Sequence, residues 1–488
     1  KFKPMKKIYF SLLFLVAATM VSCDKYLDIK PKGYTIPYFF DDYVKLIDDQ
    51  SFYRVSSAYP NYLTDDVNAG IASDVNKSAN YTNLSQYKKN IYTFVSGQVF
   101  LPGETDPMYE PAYAHIYTYN VIINNVLNVP DASDADKKRI KAEAQVGRAF
   151  EYLVLINAYA EHYDPATAST ALGVPLVLSE DINVGYTRNT VAEVYAQIKK
   201  DLDEALPNLG TVVPNNFHPL KSVGYAFLSR MYLYMGNYQE ALTNSKEALK
   251  LNSYLTDFNL YTTKLSTTFG RVCLITDNLV GFPNADKNKE SIWIRLGSAS
   301  SSALNGEVYA SSDLLSVYSQ DLPTGATDKR RTLFFLDGSA KFGTGTAVSF
   351  PGRVLWGPYV DQNYGLSSSE IYLTAAECEA RIGDKNAAMQ YLNTLRNSRI
   401  ANNKPLTVAT NDEALAIALR ERRREMPYLG CTRLVDLKRL NKDPRFAKSI
   451  THIQGTDTYT LQANDKRLIL PLPPKVIDYN PSLPQYER

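Results

Sequence analysis

Histidine, tryptophan and cysteine are scarce in this sequence, with four His, two Trp and four Cys among 488 residues. None of His115, His162, His218 and His452 is spaced as a zinc pair, so no metal site is expected. If Cys23 is set aside, Cys273, Cys378 and Cys431 allow at most one bridge, and disulfides do not hold this fold together. An excess of one charge is also missing. Lys and Arg total 53 against 51 Asp and Glu, a net charge of +2, which leaves no electrostatic footprint for nucleic acid or for an anionic bilayer. The chain has no Gly-x-Ser-x-Gly elbow and no Walker loop, and Phe342–Gly345 is followed by no helical pattern that would complete a dinucleotide fingerprint. A paired-carboxylate glycosidase leaves no such signature, because its two groups meet only in space. With these motifs missing, the chain is not expected to be an enzyme or to need a cofactor.

At the front, Lys1, Lys3, Lys6 and Lys7 precede the apolar run Ile8–Val21, which is shorter than the roughly 20 residues of a membrane-spanning helix. Met20, Val21, Ser22 and Cys23 then read as a lipobox, with the small Ser22 just before the bond to be cut. Residues 1–22 are therefore expected to be a lipoprotein signal peptide, and Cys23 the lipidated first residue of a protein tethered to a membrane without spanning it. Acyl burial contributes about 0.8 kcal/mol per methylene, so two or three chains hold where one would not. The alternative is a secretory signal cut nearby that leaves a free thiol.

Tyrosine is the residue in excess, at 36 copies. Its flat apolar face and polar tip suit surfaces that grip wet ligands, although most copies are expected to fill helix interfaces. Helical spacing runs through Phe39–Asp49, through Asp106–Val129 (Tyr109, Tyr113, Ile116, Asn120, Ile123, Leu127) and through Ala135–Tyr163, where Gly147 and Ala144 mark a close helix approach. Thr190 and Glu193 form a capping box for a helix over Val191–Leu206. Asp181, Asn183 and Gly185 resemble a calcium loop, but Ala192 stands where the bidentate Glu belongs, so the motif is rejected.

Tyr225, Leu228, Ser229 and Tyr232, then Gly236, Tyr238, Ala241, Leu242 and Ala248, fit a tetratricopeptide repeat. Tyr372, Ala376, Gly383, Ala388, Leu392 and Leu395 repeat it more loosely. The fold expected is mainly α, a tetratricopeptide-like scaffold with long loop-rich insertions, divided as 23–250 and 251–488. Residues 251–365 are dense in Gly, Ser, Thr and Asn and carry few helical stripes, apart from a short strand at Ile292–Ile294 whose Trp293 is expected in the core. Glu421, Arg422, Arg423, Arg424 and Glu425 read as a solvated helix face.

Several stretches in order resemble the SusD/RagB lipoproteins of Bacteroidetes. They are the Cys-Asp-Lys-Tyr-Leu-Asp opening at 23–28, Ala142–Tyr159 leading to Gly173-Val174-Pro175, and Glu370, Leu373, Ala376 and Glu377. The block Arg422, Arg423, Glu425, Gly430, Arg433, Asp436, Leu437 and Arg439 and the ending Leu470–Pro473 with Asn480-Pro481 complete it. Departures stand at Ser368, Leu429 and Cys431. The resemblance implies a surface-exposed outer-membrane lipoprotein that captures a nutrient, commonly a glycan and in some members peptide, as the lid of a SusC-like TonB-dependent transporter. A sugar site needs aromatic platforms flanked by amides and carboxylates. The loop-borne candidates for ligand binding are Tyr59, Asn61, Tyr62 and Asp65, and in the insertion Tyr309, Trp356, Tyr359, Asn363 and Tyr364. A rival from another class is a helical-repeat adaptor lipoprotein that holds a partner protein in a bare concave groove.

Overall fold

The structure is a computed structural model that describes residues 37–55, 59–70, 80–181, 183–264, 271–297, 308–341, 347–356 and 362–488. Cys23 with its lipobox, Tyr359 and the segment Phe342–Gly345 lie outside the described residues.

Fourteen α-helices are present among the described residues. In chain order they are α1 (Phe40–Ile47), α2 (Gln86–Tyr92), α3 (Tyr109–Asn125), α4 (Asp134–Tyr159), α5 (Val191–Ala205), α6 (Lys221–Tyr234) and α7 (Tyr238–Leu251). The second half adds α8 (Ser312–Val317), α9 (Lys329–Phe334), α10 (Ser368–Ile382), α11 (Lys385–Asn397), α12 (Asn411–Glu425), α13 (Thr432–Leu440) and α14 (Pro474–Tyr479). The mainly helical fold read from periodicity is the one observed.

Local chemistry explains where the long helices begin and turn. Ser133 caps α4 by accepting from Asp136 N, and Thr190 with Glu193 forms the capping box of α5. Gly236 at φ 73° lets α6 reverse into α7, whose N-terminus Asn237 caps through Glu240 N. Gly383 at φ 124° and Asp384 do the same between α10 and α11. The two repeat units thus share one turn design, and a side chain at either glycine would be strained.

The helices stack in sequence: α3 on α4, α4 on α5, α6 on α7, α10 on α11, and α7 directly on α10. The segment between α7 and α10 is consequently an insertion looped out of a continuous helical stack. The close approach expected at Gly147 is real, since a Cβ there would sit 2.3 Å from the Tyr119 ring of α3. Between α6 and α7 the Ser229 and Ser245 hydroxyls meet at 2.6 Å, closing a buried polar contact.

Inside the insertion the strands run to no more than four residues, apart from Phe335–Lys341 and Ala347–Trp356. A four-stranded sheet has the order Val67–Asn68, Tyr309–Ala310, Ala347–Trp356, Phe335–Lys341, all neighbours antiparallel. Trp293 is fully buried, its indole N–H donating to Phe217 O at 3.0 Å and its face covered by Arg295. The strand is covered on both faces, so Ile292 and Ile294 are buried with it.

One expectation is corrected. The run Glu421–Glu425 is no solvated face, because Glu421, Arg422 and Arg424 are buried. Glu421 accepts from Arg330 at 2.8 Å, from Arg424 at 2.8 Å and from Arg396. Arg330 also grips Asp328 and Glu425, and Arg399 joins Glu290 to Glu425. The neutralising partners come from residues far away in the chain, so helical spacing alone gave no sign of them. Burial raises the Glu421 carboxyl, but Arg330, Arg424 and Arg396 outweigh it and hold the group well below the usual range. This network clamps α9 and the Glu290 region of the insertion onto α11 and α12.

Candidate functional site

The residues singled out for binding come from two stretches roughly 250 positions apart, and the sheet register brings them together. Val67 and Asn68 pair with Ala310 and Tyr309, and Tyr309 pairs with Leu355, next to Trp356. Tyr59, Asn61, Tyr62 and Asp65 lie in or just after the 3-10 turn Tyr59–Leu63 that leads into this sheet.

Their side chains face inward. Tyr59, Asn61, Tyr62, Asp65, Tyr309, Trp356 and Tyr364 are all buried. The Tyr59 hydroxyl donates to Asp106 at 2.7 Å and meets the Tyr159 hydroxyl at 2.9 Å, while its ring packs edge-on against Tyr87 and Phe100. Asn61 donates to Gly430 O at 2.9 Å, which ties the first loop to the turn before α13. The Trp356 ring meets Tyr428 edge-on, and the Tyr364 hydroxyl donates to Gln362 at 3.1 Å. Asn363 accepts from Arg295 N and Gly365 N and donates to Trp293 O, which consumes its amide in a turn. None of these aromatic rings presents a face to solvent, because each is needed to close the core between sheet and helices.

Asp65 is a structural ion. It accepts from Arg433 at 2.7 and 2.8 Å and from Lys448 at 2.7 Å, with Arg423 at 3.2 Å. Burial raises its carboxyl, but Arg433, Arg423 and Lys448 prevail and hold it well below the ordinary carboxylate value. Arg423 and Lys448 both reach on to Asp313 at the start of α8, so the first loop, the insertion, α12 and α13 share one ionic knot.

A large concavity lies at the far edge of the same sheet. It is an open cleft of about 1170 Å³ between the edge strand Phe335–Lys341 and the hairpin Tyr261–Lys264 with Arg271–Leu274. Thr262, Thr263, Thr327, Thr332 and Ser339 give it a hydroxyl-rich lining. Arg331 and Asp337 close a two-bond ion pair on its wall, at 2.6 and 3.1 Å. Lys329 also lines it, and burial lowers its ammonium. Sequence reading passed over these residues because Thr and Ser in a loop-rich stretch resemble any solvated turn. The usable signal was β-branched Thr-Thr inside Tyr261–Lys264, a strand pattern in which Thr262 is exposed while the Thr263 hydroxyl donates to Thr332 O. Among the described residues no cluster of three or more His, Cys, Asp or Glu could hold a metal ion, and no helix is long and apolar enough to cross a membrane.

Two family models match the chain, one described as starch-binding associating with outer membrane over residues 25–233, the other as the SusD family over residues 368–487. The chain belongs to the SusD family. A SusD-superfamily protein from Bacteroides thetaiotaomicron has the same fold, with a TM-score of 0.67 at 20% identity over 92% of this chain and 100% of its own. A protein from Bacteroides vulgatus described as a putative sugar binding protein gives 0.64 at 21% identity, over 93% and 99% of the two chains. Another from the same species, described as a SusD-like carbohydrate binding protein, gives 0.62 at 18% identity over 92% and 98%. No curated protein matches the chain. Members of the SusD family are carbohydrate- or nutrient-binding proteins associated with the outer membrane, and this chain is a nutrient-binding protein of that kind.

Proposed function

We propose that this SusD-family chain captures an oligosaccharide or polysaccharide at the cell surface and delivers it to a SusC-like TonB-dependent transporter, catalysing nothing itself. A lipid on Cys23 would hold it at the outer membrane. The observation that carries the glycan reading is the open, hydroxyl-lined cleft of about 1170 Å³. A sugar chain exchanges hydrogen bonds with hydroxyls of its own kind, and an open groove admits a polymer that a closed pocket would exclude. The buried Tyr, Trp and Asn candidates then serve as the wall's internal bracing and set the position of its edge strand.

The same edge strand supports a second reading. Among the described strands Phe335–Lys341 pairs on one side only, and such an edge accepts an extended peptide as an added strand. Titration calorimetry across an oligosaccharide panel and a peptide mixture separates the two. Binding of at least one oligosaccharide, weakened by Thr332→Val and Ser339→Val, is the expected result. Peptide binding with no response to any sugar would overturn the glycan reading. Mass spectrometry of the mature protein tests the anchor, expected as diacyl or triacyl mass on an N-terminal Cys23.

A further inference from the structure

Away from the cleft, a second concavity of about 210 Å³ lies where the end of α4 meets α13 and residues 464–469. Two nearly enclosed side chains line it, Lys438 at 5% exposure and His162 at 9%. Lys438 Nζ donates to Asn157 O and Ala160 O, both at 2.6 Å, two carbonyls left open at the C-terminal end of α4. That occupies two protons of an ammonium that has three, and among the described residues no carboxylate forms an ion pair with it. His162 Nδ1 is buried without a hydrogen-bond partner. Burial, then the cations Lys438, Arg439 and Lys442, hold this imidazole neutral, and with its N–H on Nε2 the unpartnered Nδ1 is an acceptor.

The rim adds Lys442, which reaches Asp164 at 3.4 Å, and Lys466. Of its two carboxylates, Asp465 is already taken by Arg467 at 2.6 Å, which leaves Glu161. Cations therefore predominate, and Asn464 on the same rim is held in the left-handed region at φ 62°, a conformation retained where the surroundings demand it. A group that satisfies this site must accept from an ammonium and donate to a neutral imidazole nitrogen of the same pocket. A carboxylate carrying a neighbouring hydroxyl does both; a neutral sugar lacks the anion and a simple carboxylate lacks the donor.

We propose that this pocket binds a sugar acid such as a uronate, its carboxylate on Lys438 and Lys442 and an adjacent hydroxyl donating to His162 Nδ1. The site shares no residue with the cleft, so it stands whether or not the cleft takes glycan. Burial pushes the Lys438 ammonium down to about 7, against smaller upward pulls from Cys431 and Glu161. The third proton is then present below that pH and lost above it, and uronate affinity falls roughly tenfold between pH 6 and pH 8.

The test is calorimetry and lysine side-chain NMR of the full chain with sodium glucuronate, glucose and sodium acetate at both pH values. Glucuronate is expected to bind, with a shift in the Lys438 signal, and to bind more tightly than acetate, while glucose does not bind. Lys442→Ala, at an exposed position that leaves folding intact, is expected to weaken glucuronate several-fold, and His162→Phe to remove its advantage over acetate. Lys438→Met removes a helix-end donor and is informative only if circular dichroism shows it folded. Equal binding of glucose and glucuronate, no glucuronate binding, or an affinity indifferent to both pH and Lys442→Ala would overturn the proposal.

Discussion

The helical stack and its junction with the insertion differ in how much of their contact is ionic. Within the stack, close apolar contacts such as Gly147 under the Tyr119 ring and the neutral pair Ser229 and Ser245 prevail, beside buried ion pairs that each join two helices, Arg148 with Asp201 and Arg230 with Glu370. Where the insertion meets the stack, buried ions dominate: Glu421 amid Arg330, Arg396 and Arg424, and Arg399 between Glu290 and Glu425. An apolar interface adds stability in proportion to area and tolerates sliding, whereas an ion network has one satisfied geometry and strongly penalises a missing partner. A segment of more than 100 residues that holds nine of the fourteen described strands is thereby fixed in one place on a scaffold whose own core would not specify where it sits.

The contrast is broken most severely at Glu421. Glu421→Ala strands three buried guanidinium groups and is expected to cost about 3–5 kcal/mol in denaturant unfolding, an amount that can unfold a domain of ordinary stability. The stack's counterpart is Gly147→Ala. Its methyl would meet a Tyr119 ring already stacked on Phe52 at 4.4 Å, so the expected loss is about 1–3 kcal/mol from overpacking. Thr190→Ala removes one arm of a capping box outside the ion network and should cost about 1 kcal/mol, read from the same unfolding curves.

Acid sharpens the comparison further. The stack has ions of its own that acid can test: burial raises the carboxyl of Glu377, which ties α10 to α13, but Arg439 and Arg381 bring it down to about 2. A carboxylate depressed on folding contributes stability above its unfolded value, about 4.3, and loses it as pH falls through about 2. The destabilisation caused by Glu377→Gln should therefore shrink between pH 5 and pH 2, while that of Gly147→Ala stays constant. Parallel pH profiles for the two variants would contradict the ionic reading.

The stack was legible because its signals are local. A Gly turn, an Asp or Asn cap and a stripe of small residues all act within about ten positions, and α4 to α7, α10 and α11 follow from them. The junction was not, because Glu421 finds Arg330 and Arg399 finds Glu290 across 91 and 109 positions, and a row of charges on one helix looks the same whether its partners are protein or water. The ligand candidates show a third case. Tyr59, Tyr62, Tyr309 and Trp356 do converge across a long separation, but an aromatic in a polar stretch can be a platform or a plug, and only the neighbouring Asp106, Tyr159 and Tyr428 show these to be plugs. The cleft lined by Thr262, Thr332 and Ser339 carried no such conspicuous residues.

The most direct measurement is hydrogen exchange by mass spectrometry on the full chain, with and without the tightest-binding oligosaccharide of the panel. Protection should appear in Tyr261–Lys264 and Phe335–Lys341, the two walls of the cleft, with α3 to α7 unchanged. Protection confined to the helical stack, with both walls unaffected, would contradict capture by the insertion.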